Sequence, residues 1–263
     1  MSERASGRLQ DRVALVTGAT RLAGIGAAVC RALADDCADI AFTHWRVYDR
    51  RFPWAGGEDE PANLAAELGA RGARTLALEA DLADPATPER LLDRVEAELG
   101  PLHILVNNAA YSTTDDYATL DAATLDAHYA VNVRATALLA VGFARRFTGG
   151  AGGRIVNFSS GQGRGPMPDE LAYAASKGAV EAFTVSLAPA VAPLGITVNA
   201  INPGPTDTGW IGPELARELL PKFPFGRLGA PADAARLVAW LASDDAAWIT
   251  GQIINSEGGF IRR

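Results

Sequence analysis

Apolar residues along this chain follow two alternating rhythms. Short runs of aliphatic and β-branched residues stand at Val13 to Thr17, Ile40 to Thr43, Thr75 to Glu79, Ile104 to Val106, Arg154 to Phe158, Thr197 to Ile201 and Gln252 to Asn255. Between them lie longer stretches with helical spacing: Gly24 to Asp36, Pro61 to Arg71, Pro85 to Leu99, Ala122 to Phe147, Ala172 to Val191 and Pro231 to Ala242. Strands separated by helices of this length read as βαβ units, and their almost unbroken apolar character is that of strands covered on both faces. The expectation is an α/β Rossmann fold, a doubly wound and mostly parallel seven-stranded sheet with helices on both faces.

Two segments carry neither rhythm. His44 to Glu60 is rich in Trp, Tyr, Phe, Arg and Gly, and Pro205 to Gly229 is rich in Pro, Phe and Gly. Long irregular segments in a compact α/β domain are often functional lids, and the second reads as the substrate lid. No low-complexity linker, composition shift or solenoid repeat divides the 263 residues, which read as one domain.

Composition narrows the functions. A chain that is 48% apolar can bury a substantial core, while a net charge of -7 supplies no positive field for nucleic acid or an anionic membrane surface. Met1 to Gln10 is polar, and no stretch reaches the roughly 18 apolar residues of a membrane span, so a cytoplasmic protein is expected. Cys30 and Cys37 form neither a disulfide framework nor a CxxC pattern and read as packing residues. His44, His103 and His128 form no metal-ligand set, so no metal is expected.

The first strand runs into Thr17-Gly18-Ala19-Thr20-Arg21-Leu22-Ala23-Gly24-Ile25-Gly26 and then a helix. Glycines there let a backbone turn tightly and approach a pyrophosphate at a helix N-terminus; an ordinary glycine-rich turn is the plainer alternative. With this loop the chain begins to resemble the classical short-chain dehydrogenase/reductase family, whose glycine motif TGxxxGxG has the same setting. Two extra residues lie between Gly18 and Gly24, and the enoyl reductases of the same superfamily also have extended loops here. The resemblance assigns Gly18, Thr20, Arg21, Gly24, Ile25 and Gly26 to the cofactor.

The resemblance continues downstream. Asn107-Asn108-Ala109-Ala110, after the fourth strand, is similar to the family's NNAG element, with alanine for its glycine, and places Asn108, Ala109 and Ala110 beside the cofactor. Asp81 and Leu82, after the third strand, match the position that meets the adenine ring, although an Asp there also suits a turn or helix cap. Asn202 to Thr208 resembles the PGxxxT segment, which implies cofactor contacts from Pro203, Gly204, Thr206 and Thr208, and less directly Ile201. Ile249 to Gln252 and Gly258-Gly259 resemble the closing strand and tail, so the likeness runs from Arg12 to Phe260.

Ser160, Tyr173 and Lys177 are the strongest constellation, reading as Ser followed by YxxxK. A four-residue spacing puts Tyr173 and Lys177 on one helix face. A tyrosine of ordinary pKa about 10 is a poor acid–base group at neutral pH, but a neighbouring ammonium and an oxidised nicotinamide favour its phenolate. Ser160 can donate to a substrate oxygen and stabilise a developing alkoxide. Asn132 falls where the family has the fourth catalytic member, an asparagine that holds a water leading to the lysine; satisfying backbone is its alternative reading. The enoyl reductases space their Tyr and Lys more widely, so the resemblance is to the classical members, nearest in pattern to 3-oxoacyl reductases.

A carboxylate closing the second strand would accept the ribose 2′-hydroxyl of NAD. Here the strand closes as Phe42-Thr43-His44-Trp45-Arg46, with no carboxylate before Asp49. Thr43 is assigned to the cofactor, and Arg46 and Arg21 can pair with a phosphate, so NADP(H) is favoured over NAD(H). The His44 to Glu60 segment would then cover the adenosine end of the cofactor or reach a neighbouring subunit.

Tyr111, Ser112, Gly161, Gln162, Met167, Trp210 and Phe223 are candidate substrate-pocket residues, with no cationic cluster to announce an anionic substrate; core or interface packing is their alternative. Reduction of a ketone or 3-oxoacyl-type carbonyl is the leading expectation. Oxidation of an alcohol, sugar or steroid is the second, and a non-catalytic cofactor-binding sensor or scaffold the third. Family analogy implies a homotetramer or dimer built through the long helices.

Overall fold

The computed structural model describes residues 7–262; residues 1–6, part of the polar start read above, and residue 263 lie outside the described residues. Seven strands form one sheet, all of whose pairings are parallel: β1 (Val13–Val16), β2 (Asp39–His44), β3 (Thr75–Glu79), β4 (Ile104–Asn107), β5 (Gly153–Phe158), β6 (Ile196–Asn202) and β7 (Ile253–Asn255). Their order is β3-β2-β1-β4-β5-β6-β7. The α-helices are α1 (Ile25–Asp35), α2 (Arg46–Asp49), α3 (Glu60–Ala70), α4 (Thr87–Leu99), α5 (Ala122–His128), α6 (Thr136–Arg146), α7 (Leu171–Val191), α8 (Pro213–Leu219) and α9 (Pro231–Ala242).

Side chains of a strand point alternately to its two faces, and β1 shows both being buried. Ala14 and Val16 pack into one core with α1, α3 and α9, whereas Val13 and Leu15 pack into a second core with α4, α6 and α7. Cys30 is wholly buried in the first core and Cys37 is buried at the turn that follows α1. The chain leaves β1 toward β2 on one side and returns to β4 on the other, so the order reverses at β1. Helices on either side of that reversal diverge, which opens a crevice at the carboxyl ends of β1 and β4.

The stretch from Ala122 to Phe147 is not the single regular helix that its apolar spacing predicts. Residues Tyr129–Ala135 form a π-helical segment between α5 and α6. Such wide turns insert one residue into the α-helical ladder and recur at functional sites. The two arrhythmic segments also hold short helices, α2 in the first and α8 in the second.

Candidate active site

The glycine-rich loop is held from three sides. Asn108 Nδ2 donates to the carbonyls of Thr17 and Gly18, both at 2.9 Å, and Thr17 Oγ1 accepts from the N–H groups of Asn108 and Ala109 at 3.0 and 3.1 Å. Thr43 Oγ1 accepts from Gly18 N–H at 3.0 Å. A Cβ on Gly26 would lie 2.5 Å from the Gly18 carbonyl oxygen and 2.8 Å from Asn108 Nδ2, so backbone and helix meet at a distance only glycine permits. Gly18 itself has φ of 72° and packs against Ala109.

The lengthened part of the loop is anchored at Leu22, which packs against the first core. Leu22 N–H donates to Glu60 Oε2 at 2.7 Å, and the Leu22 carbonyl accepts from Arg31 at 2.8 Å. Glu60 opens α3, so the lengthened loop is docked on the end of the first irregular segment, residues 44–60.

A groove of about 450 Å³ lies above this loop, lined by Gly18, Thr20, Arg21, Gly24, Ile25, Gly26, Thr43, Asp81, Leu82, Asn108, Ala109, Ala110, Tyr111 and Thr208 among others. Most residues assigned to the cofactor from the sequence are thus brought together. Pro203, Gly204 and Thr206 form the turn leading to Thr208, with Thr206 Oγ1 donating within that turn at 3.2 to 3.3 Å. Asp81 lines the groove and also closes its own turn, accepting from Ala83 N–H at 2.8 Å.

The donor set suits a dinucleotide. Helix α1 begins at the groove and presents its N-terminus, where unpaired N–H groups and the helix dipole favour phosphate. His44, at the carboxyl end of β2, lines the groove and has a buried Nδ1 without a hydrogen-bond partner. Burial holds the His44 imidazole below its usual pKa, so it is a neutral ring with an unused polar atom.

Arg46 corrects the reading from the sequence. Its side chain is buried and donates to the carbonyls of Ala55 and Gly56 at 2.8 and 3.1 Å, with Glu58 3.4 Å away. The guanidinium ties residues 46–58 into a strap and does not line the groove. Arg21 does line it, donating to the Thr208 carbonyl at 2.9 Å with the Asp49 carboxylate 3.7 Å away.

The strap runs over the groove of its own chain. Trp45, Val47, Tyr48, Asp49 and Arg51 all line the groove, and Tyr48 Oη accepts from Ser112 N–H at 3.0 Å while donating to the Ser112 carbonyl at 3.3 Å. Arg51 lies over the rings of Tyr48 and Tyr111, 5.6 and 5.4 Å from their centroids. Sequence reasoning singled out the aromatic residues of this segment but not which of them turn inward.

Beyond Tyr111 and His128, outside the residues that line this groove, α7 brings Tyr173 and Lys177 onto one face. The start of that helix is set by Asp115, whose buried Oδ1 accepts from Ala172 N–H at 3.1 Å; the sequence carries no motif for this residue. Ser160, just past β5, lies beside the Tyr173 phenol. Burial raises the Tyr173 phenol above its usual pKa, the Glu170 carboxylate adds to that, and the Ser160 hydroxyl opposes it. Lys177 Nζ sits 5.5 Å from the phenol ring centroid and donates to the Phe158 carbonyl at 2.8 Å. Burial alone lowers its ammonium to about 8.

Asn132 lies in the π-helical segment and is buried. Its carboxamide accepts from Tyr111 N–H at 2.7 Å and donates to the Tyr111 carbonyl and to Ser176 Oγ, both at 2.9 Å. The backbone-satisfying role is the one the geometry displays. His128, not assigned to the site from the sequence, is fully buried between Tyr111 and Tyr173, with ring centroids 5.0 and 6.4 Å away.

The substrate candidates divide. Tyr111 borders the groove, and Gln162 has a buried Oε1 without a partner beside the turn that follows Ser160. Met167 is half-buried in the loop before α7, and Trp210 is 40% exposed with its Nε1 donating to the Thr206 carbonyl at 2.7 Å. Phe223 is not a pocket residue: it is buried in a small core with Ile211, Leu219 and Phe260 that holds the 205–229 lid together.

Comparison with known proteins agrees with this geometry. A family model described as enoyl-(acyl carrier protein) reductase matches residues 18–261. The uncharacterized oxidoreductase YjdA of Bacillus subtilis is 51% identical over 255 residues, covering 96% of this chain and 98% of that protein. An NADPH-dependent aldehyde reductase-like chloroplastic protein of Arabidopsis thaliana is 35% identical, covering 96% and 95%. The crystal structure of a short chain dehydrogenase from Burkholderia cenocepacia in complex with NADP superposes with a TM-score of 0.86 at 36% identity, covering 96% and 99%. The chain is a classical member of the short-chain dehydrogenase/reductase family, an oxidoreductase that acts on CH–OH or C=O groups with NAD(P).

Proposed function

We propose that this protein reduces a ketone or 3-oxoacyl-type carbonyl to a secondary alcohol with NADP(H), and catalyses the reverse when the cofactor ratio demands it. One observation carries the reading: the buried Lys177 ammonium lies 5.5 Å from the centroid of the Tyr173 phenol ring, with the Ser160 hydroxyl beside that phenol. The groove residues Gly18, Thr20, Arg21, Gly24, Ile25, Gly26, Asn108, Ala109, Ala110 and Thr208 would hold the dinucleotide. When bound, it supplies the hydride.

The chain's own groups do the rest. Ser160 donates to the substrate oxygen and stabilises the charge that develops there. A phenol kept protonated by burial is in the state needed to give its proton to that oxygen. The Lys177 charge favours the phenolate that remains, and Asn132 holds the Tyr111 backbone that walls the site. Proton resupply through a water near Asn132 and Lys177 belongs to the same proposal.

Support for NADP(H) comes from Arg21 in the groove, from the absence of a carboxylate closing β2, and from relatives named for NADPH or solved with NADP. Assembly into a homotetramer or dimer is supported by apolar side chains left exposed on the long helices, Leu138 at 43% and Val185 at 51%. No helix of the described residues is long and apolar enough to cross a membrane.

The test is titration of the purified protein with NADPH and NADH, following nicotinamide fluorescence, and then addition of a panel of ketones to the preferred complex. NADPH binding followed by its oxidation with one ketone class is the expected result. Binding of neither nucleotide would overturn the reading.

A further inference from the structure

β2 ends without a carboxylate, yet the groove contains one near that end, in addition to Asp81. Asp49 closes α2 in the strap and lines the groove together with Thr20, Arg21, His44 and Trp45. Its side chain is only 14% exposed, its Oδ1 lies 3.7 Å from Arg21 Nε, and Thr20 stands beside it in the groove. Burial pushes its carboxyl up, while Thr20 and Arg21 pull it back down.

The strap that carries Asp49 is built to keep it there. Arg46 ties the carbonyls of Ala55 and Gly56, Tyr48 Oη is locked between the N–H and carbonyl of Ser112, and Glu60 takes the Leu22 N–H of the lengthened glycine loop. The longer loop and the inserted strap therefore stabilise one another, and between them they bring an arginine and a carboxylate together at the adenosine end of the groove.

We propose that Asp49 sets the balance between the two nicotinamide dinucleotides. A carboxylate at this point accepts a hydrogen bond from a ribose hydroxyl, repels a 2′-phosphate and competes with it for Arg21. The protein then takes NADPH through Arg21 while retaining use of NADH, and the ratio is set by the strap instead of by the last residue of β2. This rests on the proposed reading that the groove holds a nicotinamide dinucleotide.

The experiment measures dissociation constants of the wild-type chain, Asp49→Asn and Arg21→Gln for NADPH, NADH and adenosine 2′,5′-bisphosphate, by calorimetry. Asp49→Asn should tighten NADPH and the bisphosphate about tenfold relative to NADH, the size expected of one partly screened carboxylate. Arg21→Gln should shift the ratio the other way. Asp49→Glu keeps the charge and should keep the wild-type ratio, which tests the idea even if the amide variant does not fold. If both dinucleotides bind and Asp49→Asn leaves their ratio unchanged, Asp49 has no such role and the dinucleotide reading stands. If the wild-type chain binds neither, both fail.

Discussion

The Asn132 carboxamide clasps the backbone of Tyr111, accepting from its N–H at 2.7 Å and donating to its carbonyl at 2.9 Å. The π-helical turn at Tyr129–Ala135 is what lets a helix residue reach a loop that follows β4. Asn132→Ala would leave a buried N–H and carbonyl without partners, a destabilisation of about 2 kcal/mol. Chemical denaturation should show that loss, and kcat should fall more than the affinity for NADPH. An unchanged denaturation midpoint would remove Asn132 from this role.

Tyr173→Phe deletes one oxygen from a site whose packing it otherwise preserves. Turnover should fall by about 10²- to 10⁴-fold while NADPH binding, followed by fluorescence, stays near wild type. Comparable activity in the phenylalanine variant would rule out Tyr173 as the proton donor.

Burial lowers Lys177 to about 8, from an ordinary lysine value near 10.5. Between those two values the unfolded chain binds more protons at this group than the native one, so the Lys177 contribution to stability rises with pH across that window and its burial penalty is fullest below about 8. For reduction the order is reversed, since the useful ammonium is lost as pH climbs past about 8. The carbonyl-reduction kcat/KM should therefore decline on the alkaline side of that value, and Lys177→Arg, which stays charged, should push the decline higher. A profile flat to well above pH 9 in the wild type would count against the lysine.

Arg46→Ala separates the two roles that arginine has been given. A phosphate ligand would weaken NADPH alone, whereas the tie to Ala55, Gly56 and Glu58 predicts a loosened strap, weaker binding of NADPH and NADH together, and a lower unfolding midpoint. Nucleotide titrations of this one variant decide between them: a selective loss of NADPH would contradict the structural role.

Much of the fold was legible because it rests on local periodicity. The helix Pro231–Ala242 has the bounds its apolar spacing predicts, and β3 spans Thr75–Glu79 as read. The Ser160, Tyr173 and Lys177 grouping was legible because two of its members share a helix face and the third follows a strand. The π-helical break at Asn132 was not, because its apolar positions fit a regular helix equally well and the extra residue is stabilised by contacts with Tyr111 and Ser176. Phe223 was misplaced because an aromatic in an irregular segment carries no sign of which way it faces, and here Phe260, far along the chain, draws it inward.

Alternating strands and helices, glycines at a βα turn and a tyrosine four residues from a lysine are short-range patterns, and by themselves they determined the sheet architecture and the family and singled out Tyr173 as the candidate proton donor. Tertiary structure alone decided the orientation of the 44–60 strap, which turns Arg46 away from the groove and Asp49 toward Arg21. The reason is physical: an irregular segment buries its charges on whatever distant partners packing provides, here the Ser112 backbone, Leu22 and Arg21, and no local pattern encodes partners that the chain reaches only after it has folded.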